Sequence, residues 1–292
     1  MKKYLRAGII VMLVLAVAAC ATTGAKTGQT KIALVLGAGS AKGFAHIGVL
    51  KVLEMNKVPI HMIVGTSVGS AVGSLYAYGY NSFQLQQLSF KIEKKDVADM
   101  IIPLTDNGFI KGEKLEEFIN RTLNNTPMEK LKIPFYAVAT DIQSGQEVVF
   151  GKGNTGQAVR ASCSIPGVFK PVTIGERMYV DGGAVSPVAV DAARRLGADI
   201  VIAVDISGGG ERTQPTGTIE TILQTYSIMY ARLAAIQVCK ADVVIKPKVG
   251  FIGSGDFSKK NEAVLEGEKA ALESLPSLMP IINKLKAEGK LE

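Results

Sequence analysis

The 292-residue sequence contains two histidines, three cysteines and no tryptophan. Metal sites built from several imidazoles and thiolates need more of these side chains, so zinc fingers and His-rich metalloenzymes are excluded. Hydrophobic residues account for 47% of the chain and charged residues for 20%, as in an ordinary globular protein. This composition disfavours disorder as the main state.

The sequence also lacks a dense block of basic residues, although Lys and Arg outnumber Asp and Glu by 33 to 26. Three of the basic residues, Lys2, Lys3 and Arg6, precede an apolar run at the N-terminus. Setting these three aside reduces the formal net charge from +7 to about +4. Such a small and dispersed excess of positive charge disfavours nucleic-acid binding.

The apolar run covers residues 7–19, which is too short for a helix that crosses a bilayer, since such a helix needs about 20 residues. A basic start, a short apolar stretch and small residues at its end are typical of a secretory signal. The stretch Val17–Cys20 is similar to the lipobox of a bacterial lipoprotein signal, which predicts that Cys20 carries lipid. An ordinary cleaved signal and an uncleaved anchor are the alternatives.

This interpretation divides the chain into a signal peptide (1–19), a tether (20–30) and one folded domain (31–292). Lipid on Cys20 would hold that domain at a membrane surface. We therefore expect a lipid-anchored protein of the bacterial cell envelope that faces the periplasm, in the outer membrane rather than the inner one. The other cysteines, Cys163 and Cys239, are expected to be buried and unpaired.

From Thr30 onward, short β-branched runs alternate with longer amphipathic stretches. A buried strand (31–37), a helix (43–55) and a second strand (60–65) begin this pattern. Further strands are predicted at 133–142, 146–150, 178–183, 199–207 and 241–247. The alternation predicts an α/β fold in which helices sandwich a mainly parallel sheet.

Two segments depart from this pattern. Residues 81–132 are richer in Gln, Lys and Asp with helical periodicity, which predicts a helical insertion at the edge or top of the sheet. Residues 208–218 are rich in Gly, Pro and Thr without periodicity, which predicts a mobile loop. Both segments are candidates for gating a site. The motif-bearing core then covers about 33–198, and a helical part follows at 218–292.

A glycine-rich turn, GAGSAKG, lies between the first strand and the first helix. A dinucleotide-binding loop occupies the same place, but it requires an acidic residue at the end of the second strand. That strand ends in IVGTSVG without a carboxylate, which disfavours a nucleotide site. Backbone amides at a helix N-terminus can bind an oxyanion equally well.

A second turn, Gly65-Thr66-Ser67-Val68-Gly69, lies directly between a predicted strand and a predicted helix. In a G-x-S-x-G turn the glycines permit a sharp bend that holds the serine hydroxyl above the sheet as a nucleophile. A serine that merely caps the helix is the alternative. The strand-turn-helix setting favours the nucleophile.

The histidine count decides which base could serve this serine. The α/β-hydrolase triad runs in the order serine, acid, histidine, and no histidine follows His61. We predict structural roles for His46 and His61. Asp181, in the turn MYVDGG, is then the candidate base, because partial burial can raise the pKa of a carboxyl towards neutrality. A plain Asp-Gly turn is the alternative.

The three motifs, in this order across residues 37–183, resemble those of the patatin-like phospholipases. The segment 158–172 is also similar to that family, with Ser162 and Pro166 in the usual places. The resemblance implies a Ser-Asp dyad on an α/β sheet that hydrolyses acyl esters of lipids without a metal or other cofactor.

Carried over to this chain, the resemblance implies Ser67 as the nucleophile and Asp181 as the base. The implied oxyanion loop includes Gly37, Gly39, Lys42 and Gly43. The glycines that support the other motifs are Gly65, Gly69, Gly182 and Gly183. In one departure from the family, Ala38, Ser40 and Ala41 interrupt its glycine run, although these residues still have backbone N–H groups to donate.

These observations predict a lipid-anchored serine acyl hydrolase acting on a phospholipid or lysophospholipid. Acyl transfer or general carboxylesterase activity on the same dyad is one alternative. A lipoprotein that binds lipid without catalysis is the other.

Overall fold

The computed structural model describes residues 29–93, 96, 110–208 and 214–291. The predicted signal segment and Cys20 lie outside these residues. Within the described ranges, no helix is both long and apolar enough to span a bilayer.

The described residues form an eight-stranded mixed sheet. The strands pair in the order β5-β6-β3-β2-β1-β7-β8, and β4 pairs with β3. The five strands β3, β2, β1, β7 and β8 are parallel, whereas β4, β5 and β6 are antiparallel to their neighbours. The strands are β1 (Ile32–Leu36), β2 (Met62–Thr66), β3 (Phe135–Asp141), β4 (Glu147–Phe150), β5 (Val172–Ile174), β6 (Arg177–Asp181), β7 (Ile200–Val204) and β8 (Val243–Ile245).

The described residues also form eight α-helices. They are α1 (Phe44–Met55), α2 (Val68–Tyr78), α3 (Ser82–Lys91), α4 (Glu113–Thr122), α5 (Thr155–Ser162), α6 (Val190–Arg195), α7 (Thr218–Gln237) and α8 (Lys260–Ala287).

Alternate residues of the central strands pack against different helices. Leu34 and Leu36 of β1 belong to a large core cluster that includes residues of α1, α2, α3, α4 and α8. Ala33 and Val35 belong to a second cluster that includes residues of α6 and α7. Successive side chains of a strand point to opposite faces of the sheet. Helices therefore cover both faces, and the predicted α/β architecture is confirmed.

Strand β3 brings the ends of two other strands together. β2 runs parallel to β3 and ends with Thr66 opposite Val138. β6 runs antiparallel to β3 and ends with Asp181 opposite Ala139, the next residue along. β4 pairs with residues 137–140 of β3, which overlap both the residues paired with β2 (135–138) and those paired with β6 (139–141). β4 therefore occupies the opposite edge of β3 from both strands, and β2 and β6 follow one another along the same edge. Their ends therefore meet.

Helix α8 packs closely against α1, the helix that follows the glycine-rich turn. A Cβ atom on Gly48 would lie 1.9 Å from the carbonyl oxygen of Val264, and one on Gly267 would lie 2.0 Å from that of Ala45. Glycine is required at both positions because the two backbones touch. The C-terminal part of the chain is thus fixed to the helix next to the site.

The structure also contains short elements that the sequence analysis did not predict, namely α5, α6 and β5, with 8, 6 and 3 residues. Periodicity is a weak signal over so few residues. The predicted insertion contributes α3 and α4, although its residues 94, 95 and 97–109 lie outside the described part. Residues 209–213 of the predicted loop also lie outside it.

Candidate active site

The three predicted motifs meet at one place on the sheet. Ser67 directly follows β2, and Asp181 is the last residue of β6. The Ser67 Oγ donates a hydrogen bond of 2.6 Å to Asp181 Oδ2. Both side chains are buried, with 3% and 0% of their surfaces exposed. The strand pairing on β3 explains how residues 114 positions apart come into contact.

The backbone of Ser67 is held in an unusual conformation. Its φ of 55° and ψ of −128° lie in a region that residues with a side chain rarely adopt. A Cβ on Gly65 would lie 2.5 Å from Ser70 Cα, and one on Gly69 would lie 2.1 Å from the Leu36 carbonyl oxygen. The two glycines therefore permit the sharp bend, and the Ser67 side chain makes no capping bond to α2.

Ser162, at the end of α5, connects this bend to the sheet. Its Oγ accepts a hydrogen bond of 2.9 Å from the Ser67 N–H and donates one of 2.6 Å to the Val138 carbonyl oxygen. Ser162 is fully buried, so neither group has water as a substitute partner. The bond stabilises the strained position of Ser67.

The Asp181 carboxylate accepts hydrogen bonds at both oxygens. Oδ2 binds Ser67, whereas Oδ1 accepts from the Gly183 N–H at 2.7 Å and from the Tyr230 hydroxyl at 2.8 Å. Burial raises the pKa of Asp181 to about 6, against the opposing effect of these three donors. The bond from the Gly183 N–H to Oδ1 is the contact expected of a plain Asp-Gly turn. Asp181 makes this bond and the bond to Ser67 at the same time.

The two glycines after Asp181 are required by close contacts. A Cβ on Gly182 would lie 2.2 Å from the Val138 carbonyl oxygen. A Cβ on Gly183 would lie 2.3 Å from Cζ of the Tyr230 ring. The DGG motif therefore makes room for the sheet on one side and for α7 on the other.

The glycine-rich turn follows β1 and contains a short 3₁₀ helix, Ser40–Gly43. The Gly37 N–H donates to the Val204 carbonyl at 3.0 Å, and the Lys42 N–H donates to the Gly39 carbonyl at 3.1 Å. These two amides are thus engaged within the protein, and the assignment of Gly37 and Lys42 to an oxyanion loop stays a prediction. The turn is thus hydrogen-bonded to β7 and to itself ahead of α1.

Lys42 and Gly43 also make contacts that fix the turn. Lys42 is buried, and its Nζ donates to the Ser207 carbonyl at 3.3 Å. A Cβ on Gly43 would lie 2.2 Å from Cγ2 of Val68, so Gly43 allows the turn to pack against the residue after Ser67.

Three other backbone amides, in the turn and at the start of α2, have no hydrogen-bond partner within the described part of the chain. They are those of Gly39 and Ser40 in the turn and of Val68 at the start of α2. Ser40 has a φ of 51° and lines the cavity next to Ser67. Ser40 and Val68 both line that cavity, so their amides lie beside Ser67.

Both histidines bind backbone groups of the first strand region. His46 is buried, and its Nε2 donates to the Gly37 carbonyl at 2.9 Å. Burial lowers the pKa of His46 to about 4, so the ring is neutral at pH 7. His61 Nδ1 accepts from the Ile32 N–H at 3.1 Å. These contacts agree with the predicted structural roles.

Ser67 lies in the wall of an apolar cavity of about 270 Å³. Helices α2, α3 and α4 supply much of its lining, including Val72, Leu75, Leu85, Leu88 and Phe118. Helices α3 and α4 come from the predicted insertion, so this segment covers the site. The cavity can accept an apolar chain next to the serine.

The two described cysteines are unpaired, as predicted. Cys163 is partly buried and lines the cavity, and burial raises the pKa of its thiol. The prediction of burial is wrong for Cys239, which is exposed. It lies in a short 3₁₀ turn after α7, where its Sγ contacts the Ala235 carbonyl oxygen at 3.2 Å.

Tyr230 is the site residue that the sequence analysis missed. It lies 49 positions after Asp181, on a helix whose periodicity does not show which residues face the sheet. The single signal in the sequence is the spacing of Tyr226 and Tyr230, which places both rings on one face of that helix.

Comparison with known proteins agrees with these motifs. Residues 34–194, more than half of the chain, match the family model described as patatin-like phospholipase. The chain belongs to the patatin-like phospholipase family. The matched region contains Ser67 and Asp181 and ends before Tyr230.

Several curated proteins are similar over part of their length. An uncharacterized NTE family protein of Mycobacterium tuberculosis is 33% identical over 179 residues, which are 61% of this chain and 49% of that protein. Human patatin-like phospholipase domain-containing protein 6 is 34% identical over 215 residues, 71% of this chain and 15% of that protein. Lysophospholipase NTE1 of Debaryomyces hansenii is 32% identical over 188 residues, 62% of this chain and 12% of that protein. The chain spans about half or less of the length of these relatives.

Solved structures share the fold. VipD from Legionella pneumophila superposes with a TM-score of 0.55 at 12% identity, covering 85% of this chain and 67% of VipD. The type III effector ExoU superposes with a TM-score of 0.50 at 13% identity, covering 86% of this chain and 54% of ExoU. The patatin-like form of the predicted fold is thereby confirmed.

We expect Ser162→Ala to destabilise the protein by about 1–3 kcal/mol, because the Ser67 N–H and the Val138 carbonyl would lose a buried partner. Urea unfolding of the variant and the wild type measures the difference. Ser277→Ala is the matched control, because this exposed serine bonds only within α8 and should cost less than about 0.5 kcal/mol. Equal effects of the two substitutions would contradict the role of Ser162.

Proposed function

We propose that this protein is a serine acyl hydrolase that cleaves the ester bond of a phospholipid or lysophospholipid through a Ser67–Asp181 dyad. The observation that carries the proposal is the 2.6 Å hydrogen bond from Ser67 Oγ to Asp181 Oδ2 in the wall of an apolar cavity. A hydroxyl bonded to a carboxylate beside a space for an apolar chain fits attack on an acyl ester.

In the first half of the reaction, Ser67 Oγ attacks the ester carbonyl carbon while Asp181 Oδ2 takes the hydroxyl proton. The amides of Gly39, Ser40 and Val68 would stabilise the tetrahedral oxyanion. When the intermediate collapses, the bond to the leaving alcohol breaks and Asp181 returns the proton to that alcohol. The acyl group stays on Ser67.

In the second half, a water molecule attacks the acyl enzyme and Asp181 takes a proton from it. Collapse of the second intermediate releases the fatty acid and returns the proton to Ser67. A carboxyl whose pKa is about 6 suits this work, because it is mostly ionised at pH 7 and still able to hold a proton during each step.

The lipid character of the substrate is supported by the cavity and by the family. The described lining next to Ser67 is mostly apolar, from Val72 and Leu75 to Leu85 and Leu88. The name of the fungal relative, lysophospholipase NTE1, points to a substrate with an ester-linked acyl chain. We include phospholipids and lysophospholipids in the proposal on these grounds.

Anchoring of the protein to a bacterial membrane is a further part of the proposal. It rests on the basic start, the apolar run 7–19 and the lipobox-like Val17–Cys20. An anchored enzyme would act on lipids of the same membrane, in the cell envelope and facing the periplasm.

Ser67→Ala and Asp181→Asn should each reduce ester hydrolysis by at least about a hundredfold, because one removes the nucleophile and the other the base. Release of fatty acid from lysophosphatidylcholine measures this, with circular dichroism as the test of folding. Ser277→Ala serves as the control that keeps activity. Wild-type rates in either folded dyad variant would disprove the mechanism, and acyl transfer to an added alcohol in place of hydrolysis would assign the dyad to a transferase.

The value of kcat/KM should fall as the pH drops through about 6, because the base must be ionised and burial has raised its pKa to that value. Initial rates on a soluble ester between pH 4 and 9, an interval of about two units or more on either side of the pKa, give this profile. A rate that stays constant down to the ordinary pKa of an exposed aspartate would contradict Asp181 as the base.

Labelled palmitate supplied to cells that make the protein should enter the wild type and fail to enter Cys20→Ala, because Cys20 is the proposed site of lipid attachment. Cys239→Ala, which removes an exposed thiol elsewhere, is the matched control and should be labelled like the wild type. Equal labelling of the Cys20 variant would refute the anchor.

A further inference from the structure

The hydroxyl of Tyr230 reaches Asp181 from a helix that lies outside the matched family region. Tyr230 belongs to α7, and it is 5% exposed. Its hydroxyl donates a hydrogen bond of 2.8 Å to Asp181 Oδ1, the carboxylate oxygen that does not contact Ser67. The phenol thus binds the base and not the nucleophile.

The ring of Tyr230 is fitted to this position. It occupies the space that a side chain at residue 183 would need, because a Cβ there would lie 2.3 Å from the ring Cζ. The Tyr226 ring packs against it edge-on, with 4.9 Å between centroids. The second glycine of the DGG turn and the preceding turn of α7 together hold the phenol.

We infer that Tyr230 is a positioning residue that orients the Asp181 carboxylate towards Ser67 and sets the pH range in which this carboxylate is ionised. The inference rests on the proposed function, since it assumes that Asp181 is the base. Two donors on Oδ1, the Gly183 N–H and the Tyr230 hydroxyl, oppose rotation of the carboxylate and leave Oδ2 facing the Ser67 hydroxyl.

The hydroxyl also stabilises the charged form of the carboxylate. Burial raises the pKa of Asp181, whereas hydrogen bonds from Ser67, Gly183 and Tyr230 lower it. A donor to an ionised carboxylate favours ionisation, so loss of the hydroxyl would leave the pKa higher. Without the Tyr230 hydroxyl, Asp181 would then be protonated over more of the pH range around 7.

The titratable groups that face this carboxylate are themselves neutral. Tyr226 and Tyr230 lie on α7, and Cys163 lies at the end of α5. The pKa values of all three are raised, mainly by burial and also by the nearby Asp181 charge. Tyr230 therefore keeps its proton and remains a donor across the working pH range.

The test compares Tyr230→Phe, which removes the hydroxyl and keeps the ring, with Tyr226→Phe as the matched control on the same helix. We expect the acid limb of kcat/KM in Tyr230→Phe to move up by about one pH unit. At the pH plateau we expect kcat to fall about tenfold with little change in KM, because binding of the acyl chain does not involve the phenol. Tyr226→Phe should keep the wild-type profile.

A second measurement follows Asp181 without turnover. Difference infrared spectra of each protein against its Asp181→Asn counterpart report the protonated carboxyl of Asp181 as a function of pH. The titration should lie higher in Tyr230→Phe than in the wild type or Tyr226→Phe. This readout holds even if the variant has no measurable activity.

An unshifted infrared titration in folded Tyr230→Phe would overturn the inference, as would the same shift in Tyr226→Phe. These outcomes are distinct from failure of the proposed function. If Ser67→Ala retained wild-type activity, the Ser67–Asp181 mechanism would be disproved, whatever the result for Tyr230. If Ser67→Ala were inactive and the Tyr230→Phe titration unshifted, only the role of Tyr230 would fall.

Discussion

The buried hydrogen bond between the Ser67 hydroxyl and the Asp181 carboxylate is the interaction around which the site is arranged. An isolated carboxylate is costly to bury, because it loses its hydration. Here three donors replace that hydration, one from the nucleophile, one from the Gly183 amide and one from Tyr230. The effect of burial exceeds that of the three donors and raises the pKa of Asp181 to about 6. A general base that works near neutral pH requires such a pKa.

This contact depends on how strand β3 is shared. β2 and β6 run towards each other and end opposite consecutive residues of β3. Ser67, which follows β2, and Asp181, the last residue of β6, therefore lie next to each other. A slip in either register would move the two groups apart. The unusual φ of Ser67 is stabilised by Ser162, which ties the Ser67 amide to the carbonyl of Val138 on the same strand. The sheet and the strained bend therefore support one geometry.

Much of this arrangement could be predicted from the sequence. The β-branched runs and the amphipathic stretches between them predict the parallel core. The G-x-S-x-G and DGG turns point to Ser67 and Asp181 because each turn lies at the end of a predicted strand. The missing histidine after His61 directs attention to a carboxylate base. These signals are local in the sequence, so they can be recognised without knowledge of the tertiary contacts.

The rest could not be predicted because it depends on contacts distant in the sequence. Gly37 belongs to the turn predicted as an oxyanion loop, and its amide binds the Val204 carbonyl on β7. The glycine is required there because a Cβ would lie 2.8 Å from the same carbonyl oxygen. Tyr230 reaches the site only because α7 packs over the DGG turn. A glycine in a motif can thus mark close packing rather than a donor, and the sequence pattern alone does not distinguish the two.

Covalent labelling of the protein with a fluorophosphonate, followed by peptide mass spectrometry, tests the central claim most directly. We predict a single adduct on Ser67, formed quickly by the wild type at pH 8 and much more slowly by Asp181→Asn, because the reagent needs an activated hydroxyl. An adduct on another residue, or equal labelling rates in the two proteins, would contradict the account.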